Sequence, residues 1–398
     1  MKVKLPYRLS VLCLCAAVAL PALSDSGSSY KKNMFNPVRT SVTSLSIAPD
    51  ARAGAMGDVG AATEADANSQ YWNPAKYPFN IARAGVSVSY TPWLRKLVND
   101  INLANMAGFY RIGDYSAVSA SLRFFSLGEV FLSDMENMTI NPYEFAVDAG
   151  YSRMLSERFS MAVNMRFIFS DIRYDYTAES KAGKAFAADI ALYRLGYFMM
   201  GNRECSFGWG LNINNIGSKI AYGGDDNAEF IPTNLRLGMN MTVPFNEYNK
   251  FSVAVDANKL LVPTFPKQDT ENGETESDYT DRVQKEYYDV SPIAGIFKSF
   301  HDAPNGFKEE MQEIQWSVGC EYTYNDRFML RGGYHHEAAN KGNRKYFTVG
   351  AGFHMSVFTV DAAYVFSTSQ TNPLDQTMRF TLGFDLDGMK DLFGRRRR

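Results

Sequence analysis

The chain is poor in cysteine and histidine, with four of each in 398 residues. Cys13 and Cys15 fall in an apolar leader, so only Cys205 and Cys320 remain, and two cysteines build no disulfide framework. No Gly-x-Ser-x-Gly elbow is present and no histidine sits beside an obvious serine. A hydrolase triad therefore has nothing to stand on, and the chain reads as a non-enzyme without cofactor or metal. Charge of one sign is also missing: the formal net charge is -2 and the pI ≈ 6.2, which gives no reason to expect a nucleic-acid partner. Beyond the leader no apolar run reaches the roughly 18 residues that a membrane-spanning helix requires.

Two features are abundant. The first 24 residues carry Lys2, Lys4 and Arg8, an apolar run from Val11 to Leu20 and Ala22-Leu23-Ser24, the order of a secretory signal peptide, so export is expected. Aromatic residues make up 14%, with 23 Tyr, 28 Phe and 30 Gly. An exported chain of this kind suits a transmembrane β-barrel, whose outer surface needs aromatic girdles at both interfaces.

Periodicity carries that reading further. A barrel strand alternates apolar residues toward lipid with polar or small ones toward the lumen. From Phe159 to Phe169 the odd positions are Phe, Met, Val, Met, Phe and Phe, whereas the even ones include Ser160, Asn164 and Arg166. Ile314 to Tyr324 repeats this with Trp316, Val318, Cys320 and Tyr322 against Ser317, Gly319, Glu321 and Thr323. Fourteen such segments are predicted, near 82–91, 101–111, 115–125, 143–153, 159–171, 185–194, 205–213, 234–243, 250–257, 314–324, 328–336, 344–355, 358–367 and 377–386. Connections sort by length: brief ones such as 112–114, 155–158, 246–247, 325–326 and the break at Ser356 alternate with long ones at 125–142, 172–184, 214–233 and 258–313. Outer-membrane barrels sort their periplasmic turns and extracellular loops in this way, which places both chain ends in the periplasm. Cys205 and Cys320, three strands apart at roughly 4.8 Å per strand, are expected to be free thiols.

The segment before the first strand, residues 25–80, is rich in Ala, Gly and Asn yet holds Met34, Phe35, Met56, Tyr71 and Trp72. It reads either as a leader in the periplasm or as a plug folded into the lumen, and its aromatic content favours the plug. Asn73-Pro74 reads as the turn that feeds the wall. The predicted fold is thus all-β, a 14-stranded antiparallel transmembrane β-barrel over 81–387 with an N-terminal lumenal plug and a basic periplasmic tail at 388–398.

The stretches "NMFNPVRTSVTSL" (Asn33 to Leu45) and "LSIAPDARAGAMGDVGAATEADANSQYWNPAKY" (Leu45 to Tyr77) resemble the amino-terminal signature of the PorV (LptO) family of the Bacteroidetes type IX secretion system. The strand pattern and Asn73-Pro74-Ala75 are similar to the wider FadL-like family of fatty-acid transporters, in which a lumenal hatch precedes fourteen strands. Gly388 to Arg398 after the last strand departs from an end that closes on an aromatic. The resemblance implies an outer-membrane secretion component. It would bind cargo proteins with C-terminal signal domains as they leave the translocon channel subunit, then shuttle them to a surface attachment complex of a sortase-like protein and its associated subunits. Outer-membrane lipid and lipopolysaccharide would surround it. The alternative is a FadL-like channel for uptake of hydrophobic small molecules.

Loop 258–313 is long enough to be a partner surface: Phe265, Ile293, Ile296, Phe297 and Phe300 stand among Asp269, Glu271, Glu274, Glu276, Asp278 and Asp281. The other reading has these aromatics packed over the barrel mouth. His335-His336-Glu337 reads as a solvated rim pair, since neighbours on a strand face opposite ways and cannot share one metal. Asp225, Asp226 and Glu229 read as a solvated acidic loop.

Overall fold

In the computed structural model the described residues are 35–95, 98, 100–132, 138–172, 181–223, 228–268, 273–355, 357–368 and 374–386. The signal segment, Met34, Asp225, Asp226, Asp269, Glu271, Ser356 and the tail 388–398 lie outside them. Fourteen strands close into one antiparallel barrel: β1 (Ala84–Pro92), β2 (Asn102–Ile112), β3 (Ser116–Ser126), β6 (Tyr143–Ser156), β7 (Phe159–Asp171), β8 (Gly183–Met200), β9 (Arg203–Gly217), β10 (Asn234–Pro244), β11 (Asn249–Leu260), β12 (Gln315–Tyr324), β13 (Phe328–His336), β14 (Lys345–Met355), β15 (Phe358–Ser367) and β16 (Met378–Asp385). β16 pairs with β1, Phe384 opposite Val86, so no strand edge is left open. A small hairpin, β4 (Val130–Leu132) with β5 (Met138–Ile140), stands apart in a long connection. Each predicted segment coincides with one barrel strand.

The wall alternates because lipid and lumen select opposite side chains at a period of two. On β7, Ser160, Ala162, Asn164, Arg166, Ile168 and Ser170 are buried, while Val163 and Met165 are exposed. On β12, Ser317, Gly319 and Glu321 are buried, and Tyr322 is exposed. Outward aromatics gather toward the two ends. Phe124, Tyr143, Phe169 and Phe145 stack in succession at 5.9, 5.9 and 5.1 Å near the long-loop end. Phe245 stacks on Phe251 at 6.4 Å, and Phe328 packs on Phe353 at 5.0 Å, near the short-turn end. By loop length the short-turn end is periplasmic.

Inside the wall, charges are buried and paired. Arg166 meets Asp148 (Nε to Oδ1, 2.6 Å) and Asp189 (Nη2 to Oδ2, 3.0 Å). Arg331 bridges Glu321 at 2.6 Å and Asp361 at 2.5 Å. Ion pairs sealed from water hold only when each partner is satisfied; removing one member leaves an uncompensated charge at a cost of about 3–5 kcal/mol.

Residues 47–79 pack against the inward-facing side chains of the strands. α1 (Ala51–Ala55) packs on β13 to β16, and the 3-10 helix Pro74–Phe79 packs on β2, β3, β6, β7 and β8. Glycines mark the footprint. A side chain on Gly210 or Gly238 would strike Ala61, on Gly319 or Gly333 it would strike Met56, and on Gly350 it would strike Ala55. Gly332, one residue from Gly333 but on the outer face, would meet nothing closer than 3.8 Å.

This difference gives a paired test. Gly333→Val should lower the thermal midpoint of the detergent-solubilised barrel by an amount matching about 1–3 kcal/mol of overpacking, with its β-type circular dichroism kept. Gly332→Val should leave the midpoint unchanged.

Candidate functional site

Two regions carry the residues singled out in the sequence: the lumenal segment and the cap formed by loop 258–313.

In the lumen, residues too short for regular structure must find partners for their backbone in the wall. Asp256 Oδ2 accepts from the N–H of Gly60 (2.8 Å) and of Ala61 (2.9 Å). Asn73 donates through its side-chain amide to the carbonyls of Ala61 (3.0 Å) and Leu192 (2.9 Å), and its Oδ1 accepts from Ala75 N–H at 3.0 Å. Pro74 then opens the 3-10 helix, where a missing N–H costs nothing. Trp72 is buried, and its Nε1 donates to Asp50 Oδ1 at 2.6 Å. Tyr71 lies between two guanidinium groups, Arg123 at 4.7 Å and Arg236 at 5.0 Å from its ring. Arg236 also donates to the Tyr71 carbonyl at 3.1 Å. Met56 packs with Val59 and Ala254. Arg52 pairs with Asp66 within the segment (3.0 Å) and ties it to the wall at Glu321 (3.3 Å). Nearby, at β14 and β16, Asp58 bonds Arg379 and accepts from Tyr346 Oη at 2.5 Å.

Phe35 corrects its expectation. It is 59% exposed, and its carbonyl accepts from Lys267 Nζ at 2.5 Å. Asn36 N–H donates to Asn340 and Ser41 N–H to Phe230. Residues 35–42 therefore run among the extracellular loops, and the filled stretch begins near Ile47.

His335 departs from the rim reading as well. It is buried, with Nδ1 2.9 Å from Ser317 Oγ and its ring stacked on Tyr346 at 4.8 Å, because its strand position faces inward beside the filled bore. His336 faces outward and stacks on Trp316 at 5.0 Å. Glu229 takes the hydroxyls of Tyr287 (3.2 Å) and Tyr288 (3.3 Å) instead of standing in water. Neither Cys205 nor Cys320 is in a disulfide.

Loop 258–313 is helical: α2 (Ser69–Trp72) belongs to the lumen, and the cap contributes α3 (Glu276–Val283), the π-turn Gln284–Tyr288, α4 (Pro292–Lys298) and α5 (Phe307–Gln312). Thr275 caps α3 by accepting from Asp278 N–H at 3.2 Å, and Ser291 caps α4, which starts on Pro292. Under the cap lies a small core of Phe230, Val262 and Tyr287, with Val38 and Phe265 against it. Phe265 packs edge-on to Tyr287 at 4.9 Å beneath Arg39 at 4.3 Å. Phe265 thus belongs to the cap's own core. Ile293, Phe297 and Phe300 are exposed, at 64%, 68% and 48%, and Ile296 is half-buried. The packing reading thus holds for Phe265, while Ile293, Phe297 and Phe300 are left in water.

Sequence reasoning missed α5. Its burial is inverted: Phe307 is 78% exposed and Met311 is exposed, whereas Glu309, Glu310 and the following Glu313 are buried. Lys341 meets Glu309 (2.5 Å) and Glu313 (2.9 Å); Lys259 meets Glu313 (2.5 Å) and Glu310 (3.1 Å). Burial opposes ionisation of Glu309, yet hydrogen bonds from Lys341 and Asn36, together with the Lys341 charge, hold its carboxyl below the usual value of 4.5. Its contribution is present above that value and disappears as the pH falls through the depressed one. Burial pushes Asp302 upward, only partly offset by Thr264 N–H. Leaving Phe307 in water forgoes about 1.5–3 kcal/mol that burial of such a side chain contributes.

Beside this cluster opens a cavity of about 440 Å³ lined by Val38, Trp93, Leu94, Leu260, Glu313 and Arg344. A second of about 70 Å³ shares Leu260 and Arg344 with it and is floored by Tyr71 and Trp72. Arg344 is held by Glu337 through two bonds of 2.9 Å.

Lys341→Met should release α5, because two buried carboxylates lose a counter-ion at a cost of about 3–5 kcal/mol. At neutral pH, limited proteolysis should cut between 303 and 313 faster than in the unaltered protein, with the barrel core intact; an unchanged rate contradicts the lock.

A family model described as type IX secretion system protein PorV matches residues 30–267. Among solved structures, the chain is similar to the TodX deltaS2S3 mutant monoaromatic hydrocarbon channel at 11% identity, covering 84% of this chain and 98% of that one, with a TM-score of 0.49. The Pseudomonas putida toluene transporter TodX is also similar: 11% identity, 83% and 96% covered, TM-score 0.46. For the Ralstonia pickettii toluene transporter TbuX the figures are 11%, 89%, 98% and 0.41. No curated protein matches. The family model spans more than half of the chain, and the protein belongs to the PorV family of outer-membrane components of type IX secretion.

Proposed function

We propose that this protein binds secreted cargo at the cell surface and hands it on, serving the secretion pathway as a shuttle. The observation that carries the reading is the pairing of a filled bore with an apolar cap. Residues 47–79 pack against the inward faces of the strands, and the pocket beside Tyr71 and Trp72 holds only about 70 Å³, which supports a bore too full for a polypeptide. The cap, by contrast, holds Ile293, Phe297 and Phe300 out in water. Exposed apolar surface of this kind marks a protein-binding site. In this reading the cap receives cargo carrying C-terminal signal domains from the translocon channel subunit. The attachment complex, a sortase-like protein with its subunits, takes the cargo next, and outer-membrane lipid and lipopolysaccharide surround the wall.

A second reading rests on one observation. The cavity of about 440 Å³ has the size of a small-molecule site, with Trp93, Leu94, Leu260 and Leu374 as apolar lining beside Glu313, Glu337, Lys341 and Arg344.

Deleting the gene separates the two. The shuttle reading predicts that surface delivery of cargo stops and that a chain with residues 268–300 replaced by a short Gly-Ser linker behaves like the deletion. Intact secretion with a loss of hydrophobic-compound uptake supports the channel instead.

A further inference from the structure

The inverted helix α5 and its neighbour α4 form, we propose, a docking ridge for a protein surface whose apolar contact is flanked by lysine and arginine. The inference deepens the shuttle reading and rests on it. A short helix on a soluble face ordinarily turns carboxylates to water and phenylalanine inward. Here the order is reversed, and the reversal is built: Lys259 and Lys341 neutralise the inner face of α5 and fix Phe307 and Met311 outward, one turn apart. α4 repeats the spacing with Ile293 and Phe297, also one turn apart and exposed. Phe300 stands on the link between the helices, its ring 5.9 Å from the Lys259 ammonium.

Charge decides the occupant. Residues 258–313 hold twelve Asp and Glu against six Lys and Arg. The buried carboxylates are matched by Lys259 and Lys341, whereas Glu276, Asp278, Asp281 and Asp289 are exposed on α3 and beside α4. Lys285, Lys298 and Lys308 offset part of this charge, and the balance of the cap stays acidic, which disfavours a second copy of the cap and the anionic phosphates of lipopolysaccharide. The acidic balance attracts a polypeptide with basic flanks and speeds encounter with it, an effect that salt screens. The cavity beside α5 offers no competing anion site, since the charges of Lys341 and Arg344 are already taken by carboxylates.

The test uses the full chain in its own outer membrane. A photo-crosslinking residue at position 307 or 297 should join a different polypeptide, through a contact peptide whose apolar residues are bordered by Lys or Arg. Crosslinks to lipopolysaccharide, to a second copy, to a peptide without basic neighbours, or to nothing overturn the proposal. In parallel, the double variant Phe307→Ser, Met311→Ser and the triple variant Asp278→Lys, Asp281→Lys, Asp289→Lys should each reduce surface delivery of cargo by about tenfold or more. Folding is checked by β-type circular dichroism and heat-resistant migration. Should the gene deletion stop secretion while both folded variants secrete normally, the ridge is wrong and the shuttle stands. Should the deletion leave secretion intact, the shuttle reading itself fails.

Discussion

Backbone groups taken out of water must be bonded, and in this protein that demand falls on the lumenal segment more than on the wall. The strands satisfy one another around a closed ring; residues 47–79 have only short helical turns and depend on side chains that strands project inward. Asp256 holds the N–H groups of Gly60 and Ala61, Asn212 holds the Trp72 carbonyl, Arg236 that of Tyr71, and Arg123 those of Ser44 and Ile47. The inward charges therefore serve as a mould for the filler, and the filler in turn shields their ion pairs from water. These bonds tie the segment to the wall at several separate strands.

In the proposed reading the molecule works by recognition at its ends, and the long-loop end carries the helical cap. The cap has its own core at Tyr287, its own helix caps and its own ionic lock at Lys259 and Lys341. Residues 35–42 join this end, so the stretch that fills the lumen also braces the loops above it.

How much of this the sequence showed depends on which force chose each residue. All fourteen strands were legible because lipid imposes alternation on one face whatever the other contains. Alternation fails at Leu103, Phe109, Phe125 and Ile168, which are apolar yet inward. Phe109 stacks on Tyr77 at 4.8 Å and Leu103 packs with Ile47, so the filler supplies the apolar surroundings that lipid supplies elsewhere. The same filler explains the inward glycines and the buried His335. Phe35 looked like a plug residue because aromatic content cannot tell a bore from a loop cluster. Helix α5 was hidden for a deeper reason: its pairs at 307/311 and 309/313 are those of an ordinary amphipathic helix, and only Lys259 and Lys341, distant in sequence, turn it over.

The central claim, a barrel sealed by its own chain so that function lies at the surface, is tested most directly by conductance. Purified protein inserted in a planar lipid bilayer should give a silent baseline under applied voltage. Steady open-channel current steps from the unaltered protein would contradict the account.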